Sequence, residues 1–161
     1  MKTLGIDPGY GRVGVAILSG EVGSEKLLYS SCIETDKETP HNERLRHVTD
    51  EIKRVIGAWE PSELAIEKLF FTTNQKTAMQ VSEARGAIIS VAQDLGLKIF
   101  EYTPLQIKAG ITSNGRASKK ELAYMVTRIL SLKTKLKRDD EYDAIATGLT
   151  HIACRRGYPQ A

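Results

Sequence analysis

The chain has 161 residues and a mass of 17.8 kDa, the usual size of one globular domain. A core of this size needs no disulfide, so Cys32 and Cys154 are predicted to be buried, reduced thiols of a cytoplasmic protein. A lysine and a Pro-Gly turn within the first nine residues argue against a signal peptide, and no apolar run is long enough for a bilayer span. We expect one domain over residues 1–156 and a short tail at 157–161.

The net charge is only +3, but the basic residues are unevenly distributed. Residues 108–138 contain nine Lys or Arg and one acid, Glu121, so this segment carries +8 and the rest of the chain −5. A localised basic segment is typical of a polyanion-binding protein, because each cation near a phosphate releases counterions. A solvated helix with its flanking loops explains the same charge, so charge alone leaves both interpretations open.

The first part of the chain predicts three strands. Apolar residues at 3–6 and 13–18 flank a loop rich in Gly and Pro, and a third strand follows at 26–33. Because the links are short, these strands are predicted to form an antiparallel meander.

The remainder predicts alternating helices and strands. Helices are expected at 42–59, 74–95, 118–130 and 139–154, with a short one opening at Pro104, and strands at 63–67 and 97–102. Ser118 and Glu121 are spaced as a capping box, whereas 110–116 is predicted to be a loop. The predicted fold class is α/β, with a five-stranded mixed sheet flanked by helices.

Acidic residues directly follow two of these strands. Asp7 ends the first strand before the Pro-Gly turn, and Glu67 ends the hydrophobic strand at 63–67. An Asp that initiates a turn is common, so Asp7 has a structural interpretation as well. A glutamate at the end of a buried strand is costly unless a positive charge meets it.

A third acidic group, 139–143, opens the last helix. Acids in the first turn are favoured by capping and by the helix dipole, so one of them is expected to be structural. Asp140 and Asp143 are three residues apart and share one stripe of the helix. His151, two turns further along, is expected to be a hydrogen-bonded structural histidine rather than a ligand.

Acids from two strand ends and one helix start form a site for hard cations. Mg²⁺ prefers carboxylate oxygens, and two such ions hold the attacking water and the leaving oxygen of a phosphodiester. With the basic segment supplying phosphate contacts, the pattern predicts a metal-dependent nuclease.

Four short motifs follow one another along nearly the whole chain. They are Gly5-Ile6-Asp7-Pro8-Gly9, Ile66-Glu67 with Phe70, Gly115-Arg116-Ala117-Ser118-Lys119, and Asp140-x-x-Asp143-Ala144-Ile145-Ala146 with Thr150-His151. In this order and spacing they resemble the RuvC family of bacterial Holliday-junction resolvases. The resemblance implies an RNase H-like fold, a homodimer, and resolution of four-way DNA junctions in recombination and repair by paired symmetric nicks. It also implies Mg²⁺, with Mn²⁺ substituting, and two ions per site.

Carried over by position, the resemblance implies that the catalytic acids and metal ligands are Asp7, Glu67, Asp140 and Asp143. Asp139 remains an alternative to Asp140. The resemblance also implies phosphate contacts from Lys108 and Lys119, a place for Phe70 beside the junction centre, and the RuvA and RuvB branch-migration proteins as partners. Arg116, in the Asn-Gly loop, is likewise expected to meet phosphate.

A homodimer is expected to form through the helix at 74–95, because a two-fold dimer matches a junction that needs two nicks. One row of this helix is interrupted by small residues, which lets two helices approach closely. The predicted interface residues are Met79, Glu83, Gly86 and Ala87. The opposite side, with Val81, Ala84, Ile88 and Val91, is expected to cover the sheet.

Three alternatives remain. A related RNase H-like nuclease acting on structured RNA would share Asp7 and Glu67. A phosphotransferase of the actin and sugar-kinase type also has a Gly-x-Asp-x-Gly loop after a strand, but it needs a second domain and a second phosphate loop. A non-catalytic junction-binding module gives no reason to keep four acids beside phosphates.

Overall fold

A computed structural model describes residues 1–69 and 75–155 of the chain. The strands are β1 (Lys2–Asp7), β2 (Arg12–Ser19), β3 (Lys26–Glu34), β4 (Glu63–Glu67) and β5 (Lys98–Tyr102). The helices are α1 (His41–Trp59), α2 (Gln75–Asp94), α3 (Pro104–Thr112), α4 (Lys119–Ile129) and α5 (Asp139–Cys154). Phe70 and the expected tail at 157–161 lie outside the described residues.

The five strands form one mixed sheet in the order β3-β2-β1-β4-β5. β2 is antiparallel to β1 and β3, whereas β4 is parallel to β1 and β5. The predicted meander and α/β class are therefore confirmed. The β1–β4 register pairs Ile6 with Ile66, so Asp7 and Glu67 follow at the same edge of the sheet.

Each face of the sheet has its own core. Alternate residues of β1, such as Leu4 and Ile6, face a cluster that includes Ile52 of α1 and Ile88 of α2. The opposite face packs mainly against α5, through residues such as Ile145. Because α5 covers this face of the sheet, it lies next to the strand ends that carry Asp7 and Glu67.

Two strand glycines bring α5 unusually close to the sheet. A Cβ at Gly5 would collide with the backbone oxygen of Ala144, and one at Gly14 with that of Asp140. Glycine inside a strand is typical of such close backbone approach. The first turn of α5 is thereby held against β1 and β2, where the acids of the helix meet those of the strands.

Three sequence expectations differ from the structure or are refined by it. Residues 110–112, predicted as a loop, continue α3, because the buried Ile107 and Ile111 pack along one side of that helix. The helix ends only at Ser113, which adopts the left-handed conformation with φ 59°. Both cysteines are free as predicted, but Cys154 is exposed rather than buried and Cys32 is half-buried.

Among the described residues, no helix has the length and apolar character needed to traverse a bilayer.

Candidate active site

Three of the four predicted catalytic acids line one cleft of about 250 Å³ at the carboxyl edge of β1 and β4. Asp7 and Glu67 enter it from the two strands, and Asp143 enters from α5. Lys108 of α3 and Lys119 of α4 line the same cleft. The structure thus brings together acids that are far apart in the sequence and places two of the predicted phosphate-binding lysines beside them.

The acids of the cleft disfavour one another's ionisation. Burial, and then the charges of Asp143, Glu67 and Asp140, raise the pKa of Asp7 to about 8. Burial and the charge of Asp143 raise the pKa of Glu67 to about 7. Perturbed carboxyl groups gathered in a cleft are typical of a functional site, and here they create a demand for positive charge.

Lys119 supplies part of that positive charge. Its Nζ donates a hydrogen bond to Asp143 Oδ2 over 3.0 Å, and this contact raises the pKa of Lys119. The predicted capping box of α4 is confirmed. The hydroxyl of Ser118 accepts a hydrogen bond from the backbone N–H of Glu121, and the carboxylate of Glu121 accepts one from the backbone N–H of Ser118. Because the cap fixes the first turn of the helix, it also fixes the backbone position from which Lys119 extends toward the cleft.

Asp140 lies beside the cleft rather than among the residues that line it. Its Oδ2 is 3.5 Å from Nε of Arg12 and 4.0 Å from Sγ of Cys32. Its charge nevertheless contributes to the raised pKa of Asp7. Asp139 is exposed, whereas Asp140 is partly buried and faces the sheet.

The structural acid expected in the first turn of α5 is Glu141. It is 6% exposed, and its Oε2 accepts a 2.6 Å hydrogen bond from the hydroxyl of Ser30. Its Oε1 accepts from the backbone N–H of Arg138, which closes the start of the helix. Glu141 therefore anchors α5 to the edge strand β3.

His151 is a fully buried, hydrogen-bonded structural residue, as expected. Its Nδ1 lies 2.7 Å from the hydroxyl of Tyr102, and its Nε2 lies 3.0 Å from Oε2 of Glu63. Arg155 completes the contact to Glu63 at 3.0 Å. These contacts attach the carboxyl end of α5 to β4 and β5.

The other predicted site residues are more dispersed. Arg116 is exposed, and its backbone N–H donates to the side chain of Asn114 in the loop before α4. It does not line the cleft. Phe70 lies outside the described residues.

The predicted dimer residues lie on the side of α2 away from the sheet. Met79, Glu83 and Gly86 are exposed and Ala87 is half-buried, whereas Ala84 and Ile88 are buried beneath them. Glu83 also lies 2.6 Å from Nε2 of His41 on α1. A Cβ at Gly86 would meet nothing within 4 Å, so this side of the helix is open.

The donors of the cleft fit a hard divalent cation, because Asp7, Glu67 and Asp143 offer only carboxylate oxygens. As the side chains stand, no three potential ligands within the described part of the chain are gathered tightly enough to hold an ion. Like charges in one cleft repel, and Asp143 is already hydrogen-bonded to Lys119. The carboxylate donors and the raised pKa values of Asp7 and Glu67 fit such an ion. The side chains would have to move closer together to coordinate it.

Sequence reasoning missed Arg12 and the close packing of α5. Arg12 is adjacent to a glycine-rich loop and shows no periodicity that marks it. The packing had a signal, because isolated glycines inside predicted strands indicate close backbone approach. Gly5 and Gly14 both carry this signal.

A mixed sheet with acids at two neighbouring strand ends and on a helix packed against them defines an RNase H-like nuclease. The sequence model of the family described as Crossover junction endodeoxyribonuclease RuvC matches residues 3–151. A RuvC from Caldicellulosiruptor saccharolyticus is 42% identical, over 94% of this chain and 92% of its own. One from Petrotoga mobilis is 38% identical, over 100% of this chain and 99% of its own. The chain belongs to the RuvC family of crossover junction endodeoxyribonucleases.

Solved structures agree with this assignment. The chain is similar to Thermus thermophilus RuvC, with a TM-score of 0.88, 31% identity and coverage of 98% of this chain and 96% of the other. For the T. thermophilus RuvC in complex with Holliday junction substrate, the TM-score is 0.92 at 30% identity, with the same coverage. The yeast mitochondrial Holliday junction resolvase Ydc2, at TM-score 0.66 and 10% identity, shares the fold alone.

Proposed function

We propose that this protein is a structure-specific endonuclease that resolves four-way DNA junctions by paired, metal-dependent nicks. The observation that carries the proposal is the cleft in which three carboxylates from β1, β4 and α5 face two lysines. Anionic ligands for cations next to cationic ligands for phosphate are what phosphodiester hydrolysis requires. The proposal includes action in the cytoplasm, during recombination and repair.

Asp7, Glu67 and Asp143 would hold the divalent metal, with Asp140 as the fourth acid. The metal, proposed to be two Mg²⁺ ions with Mn²⁺ substituting, supplies Lewis acidity and a nucleophilic water at neutral pH. Lys119 and Lys108 bind non-bridging oxygens of the phosphate and orient it in the cleft. A cation held by Asp143 would offset the charge of this carboxylate, and Lys119 would then be available to contact the substrate phosphate.

The decisive experiment compares three labelled substrates: a four-way junction, a linear duplex and a structured RNA. We expect cleavage of the junction only, at symmetric positions in two strands, and only with Mg²⁺ or Mn²⁺. Asp143→Asn should abolish cutting and leave junction binding intact, because removing a negative charge does not weaken attraction to phosphate. Asp94→Asn is the matched control, since Asp94 is exposed at the end of α2 and does not line the cleft.

Cleavage of the RNA in preference to the junction would favour the alternative RNA nuclease. Cleavage in EDTA would contradict the metal-dependent mechanism. If Asp139→Asn abolishes cutting while Asp140→Asn does not, the fourth ligand is Asp139 rather than Asp140.

The homodimer and the RuvA and RuvB partners are part of the same proposal. The exposed, glycine-containing row on α2 supports the dimer, and family membership supports the two partners. A complex of this protein with RuvA-bound junctions, detected by sedimentation, is the expected result. Failure of RuvA and RuvB to alter either binding or cutting would remove them as partners.

A further inference from the structure

A second groove, of about 580 Å³, lies at the β3 side of the same sheet edge. One wall is the end of β3, from Ser30 to Glu34, and the other is the irregular segment 135–138 before α5. We call it the β3 groove. None of the predicted site residues that the structure describes lines it, although Asp140 neighbours Cys32 in its wall.

The acids of the β3 groove are already engaged. Glu34 forms an ion pair with Arg138 at 2.7 Å. Glu141 accepts hydrogen bonds from Ser30 and from the backbone of Arg138. Lys135 and Lys137, by contrast, are exposed and form no ion pair within residues 1–69 and 75–155. The groove therefore presents two uncompensated cations.

The β3 groove is continuous with the active-site edge. Cys32 lines the groove, and its Sγ is 4.0 Å from Oδ2 of Asp140. Arg12, with its side chain 52% exposed, lies 3.5 Å from the same oxygen. In the strand order β3-β2-β1-β4-β5, the groove and Glu67 lie on opposite sides of Asp7, and the lysines of α3 and α4 line the cleft that contains Glu67.

An endonuclease cuts inside a strand, so it must hold the chain on both sides of the broken bond. Lys108 and Lys119 share the cleft with Glu67 of β4, the strand on the other side of β1 from the β3 groove. We propose that the β3 groove binds the sugar-phosphate backbone of the cut DNA strand on the other side, through Lys135 and Lys137. This inference rests on the proposed function, since it concerns the path of the same substrate.

The first test measures how the affinity for a four-way junction depends on salt, in EDTA, by fluorescence anisotropy. The double variant Lys135→Ala/Lys137→Ala should reduce the slope of log K against log salt by about 1.8, because each lost phosphate contact removes roughly 0.9. Its affinity deficit should therefore shrink about tenfold between 50 and 200 mM salt. Lys53→Ala/Lys98→Ala is the control, since it removes the same charge from exposed positions outside the groove and outside the basic segment 108–138.

The second test locates the contact by phosphate-ethylation interference on the junction strands. In the wild type, ethylation should interfere on both sides of the cut. The Lys135→Ala/Lys137→Ala protein should lose interference on one side only, whereas Lys108→Ala should lose it on the other.

A third variant changes the other wall. Ser31→Asp introduces an acid into the groove and should weaken binding, whereas Ser24→Asp, in an exposed turn, should not. Equal salt slopes for Lys135→Ala/Lys137→Ala and its control would overturn the proposal. Loss of ethylation interference on both sides of the cut in Lys135→Ala/Lys137→Ala would also overturn it. Binding of an acidic peptide there with no effect on DNA would assign the groove to a protein partner instead.

Failure of the wild type to prefer junctions would contradict the proposed function. In that case the same variants, measured on single-stranded DNA, decide whether the β3 groove binds a nucleic-acid backbone. The two failures are therefore distinguishable.

Discussion

The carboxyl group of Asp7 occupies a position in which ionisation is costly. Burial comes first among the causes, and three neighbouring acids add to it, so its pKa is raised to about 8. The same features suit a metal ligand, because a bound cation would attract Asp7 and each neighbouring carboxylate and so offset their mutual repulsion. A site shaped for a cation thus destabilises the fold when the cation is absent.

This cost predicts a pH dependence for the metal-free protein. The folded pKa values of Asp7 and Glu67 lie above their unfolded values of 3.8 and 4.5, so the folded state binds more protons. The free energy of unfolding in EDTA should therefore fall as the pH rises from about 4 toward 8. Asp7→Asn should remove much of this fall and stabilise the metal-free protein at pH 8 by on the order of 2 kcal/mol.

Thermal unfolding at several pH values measures this effect, which corresponds to an increase of several degrees in Tm. Asp139→Asn, at an exposed position, should leave the pH profile unchanged. With Mg²⁺ the wild type should become more stable than Asp7→Asn, because the wild type gains the binding energy of the ion. An Asp7→Asn protein less stable than wild type at pH 8 in EDTA would contradict the argument.

Lys119 and Lys120 are adjacent lysines with different surroundings. Lys119 contacts Asp143 inside the cleft, whereas Lys120 is exposed and does not line it. Lys119→Ala should lower the single-turnover cleavage rate at saturating protein roughly 100-fold, since a positioned cation stabilises charge that develops on the phosphate. Lys120→Ala should change it by only a few-fold. Equal rates for the two variants would place Lys119 outside the catalytic step.

At the scale of elements, α5 decides where the site forms. Its first turn approaches β2 so closely that Gly14 has no space for a Cβ. Glu141 attaches that turn to β3, and His151 attaches the other end to β4 and β5. Asp143 is consequently held at the strand ends by contacts along the whole helix.

Gly14→Ala should therefore displace the start of α5. The new methyl group meets the backbone oxygen of Asp140, which cannot rotate away, so we expect a loss of stability of about 1–3 kcal/mol. The rate of metal-dependent cutting should fall further than this loss explains, because the acids of α5 move relative to Asp7. Chemical unfolding and single-turnover cleavage, measured on the same preparation, separate the two effects.

Gly57→Ala on α1 is the matched control. A Cβ there meets nothing within 4 Å, and alanine favours the helix over glycine by about 1 kcal/mol. This variant should be as stable as wild type or more so, and fully active. A Gly14→Ala protein that cuts normally would show that the close packing is not needed to place the site.

The whole molecule must provide two active sites, because resolving one junction takes two nicks. The described chain contains one cleft with these acids, whereas symmetric resolution needs two. The open side of α2 at Gly86, above the buried Ala84 and Ile88, is the surface we propose for the two-fold contact.

Gly86→Glu should give a folded monomer that binds metal but resolves junctions poorly. A charged side chain at the centre of a close helix pair is desolvated without a partner, which disfavours the dimer. Gly57→Glu is the control, because it makes the same change at another exposed helical glycine. Sedimentation velocity measures the outcome. A wild-type monomer that still cuts both strands in one binding event would contradict the dimer.

Most elements, the α/β class and the family motifs could be predicted from the amino-acid sequence. Local rules suffice for these, because the alternation of β1 and the capping box of Ser118 and Glu121 depend on residues only a few positions apart. The end of α3 was misjudged for the converse reason. The Asn-Gly signal is local, whereas Ile111 extends the helix through packing against the rest of the core.

The candidate site divides in the same way. The acids at two strand ends, Asp7 and Glu67, and the stripe with Asp143 at the start of the last helix could be predicted from the residues, and the family resemblance added Lys108 and Lys119. Only the tertiary structure decided that Asp143 lies in the cleft while Asp140 lies beside it against Arg12, and that Glu141 is the structural acid. It also created the β3 groove. These outcomes depend on contacts between residues more than a hundred positions apart, such as Ser30 with Glu141, and packing rather than periodicity sets the directions of those side chains.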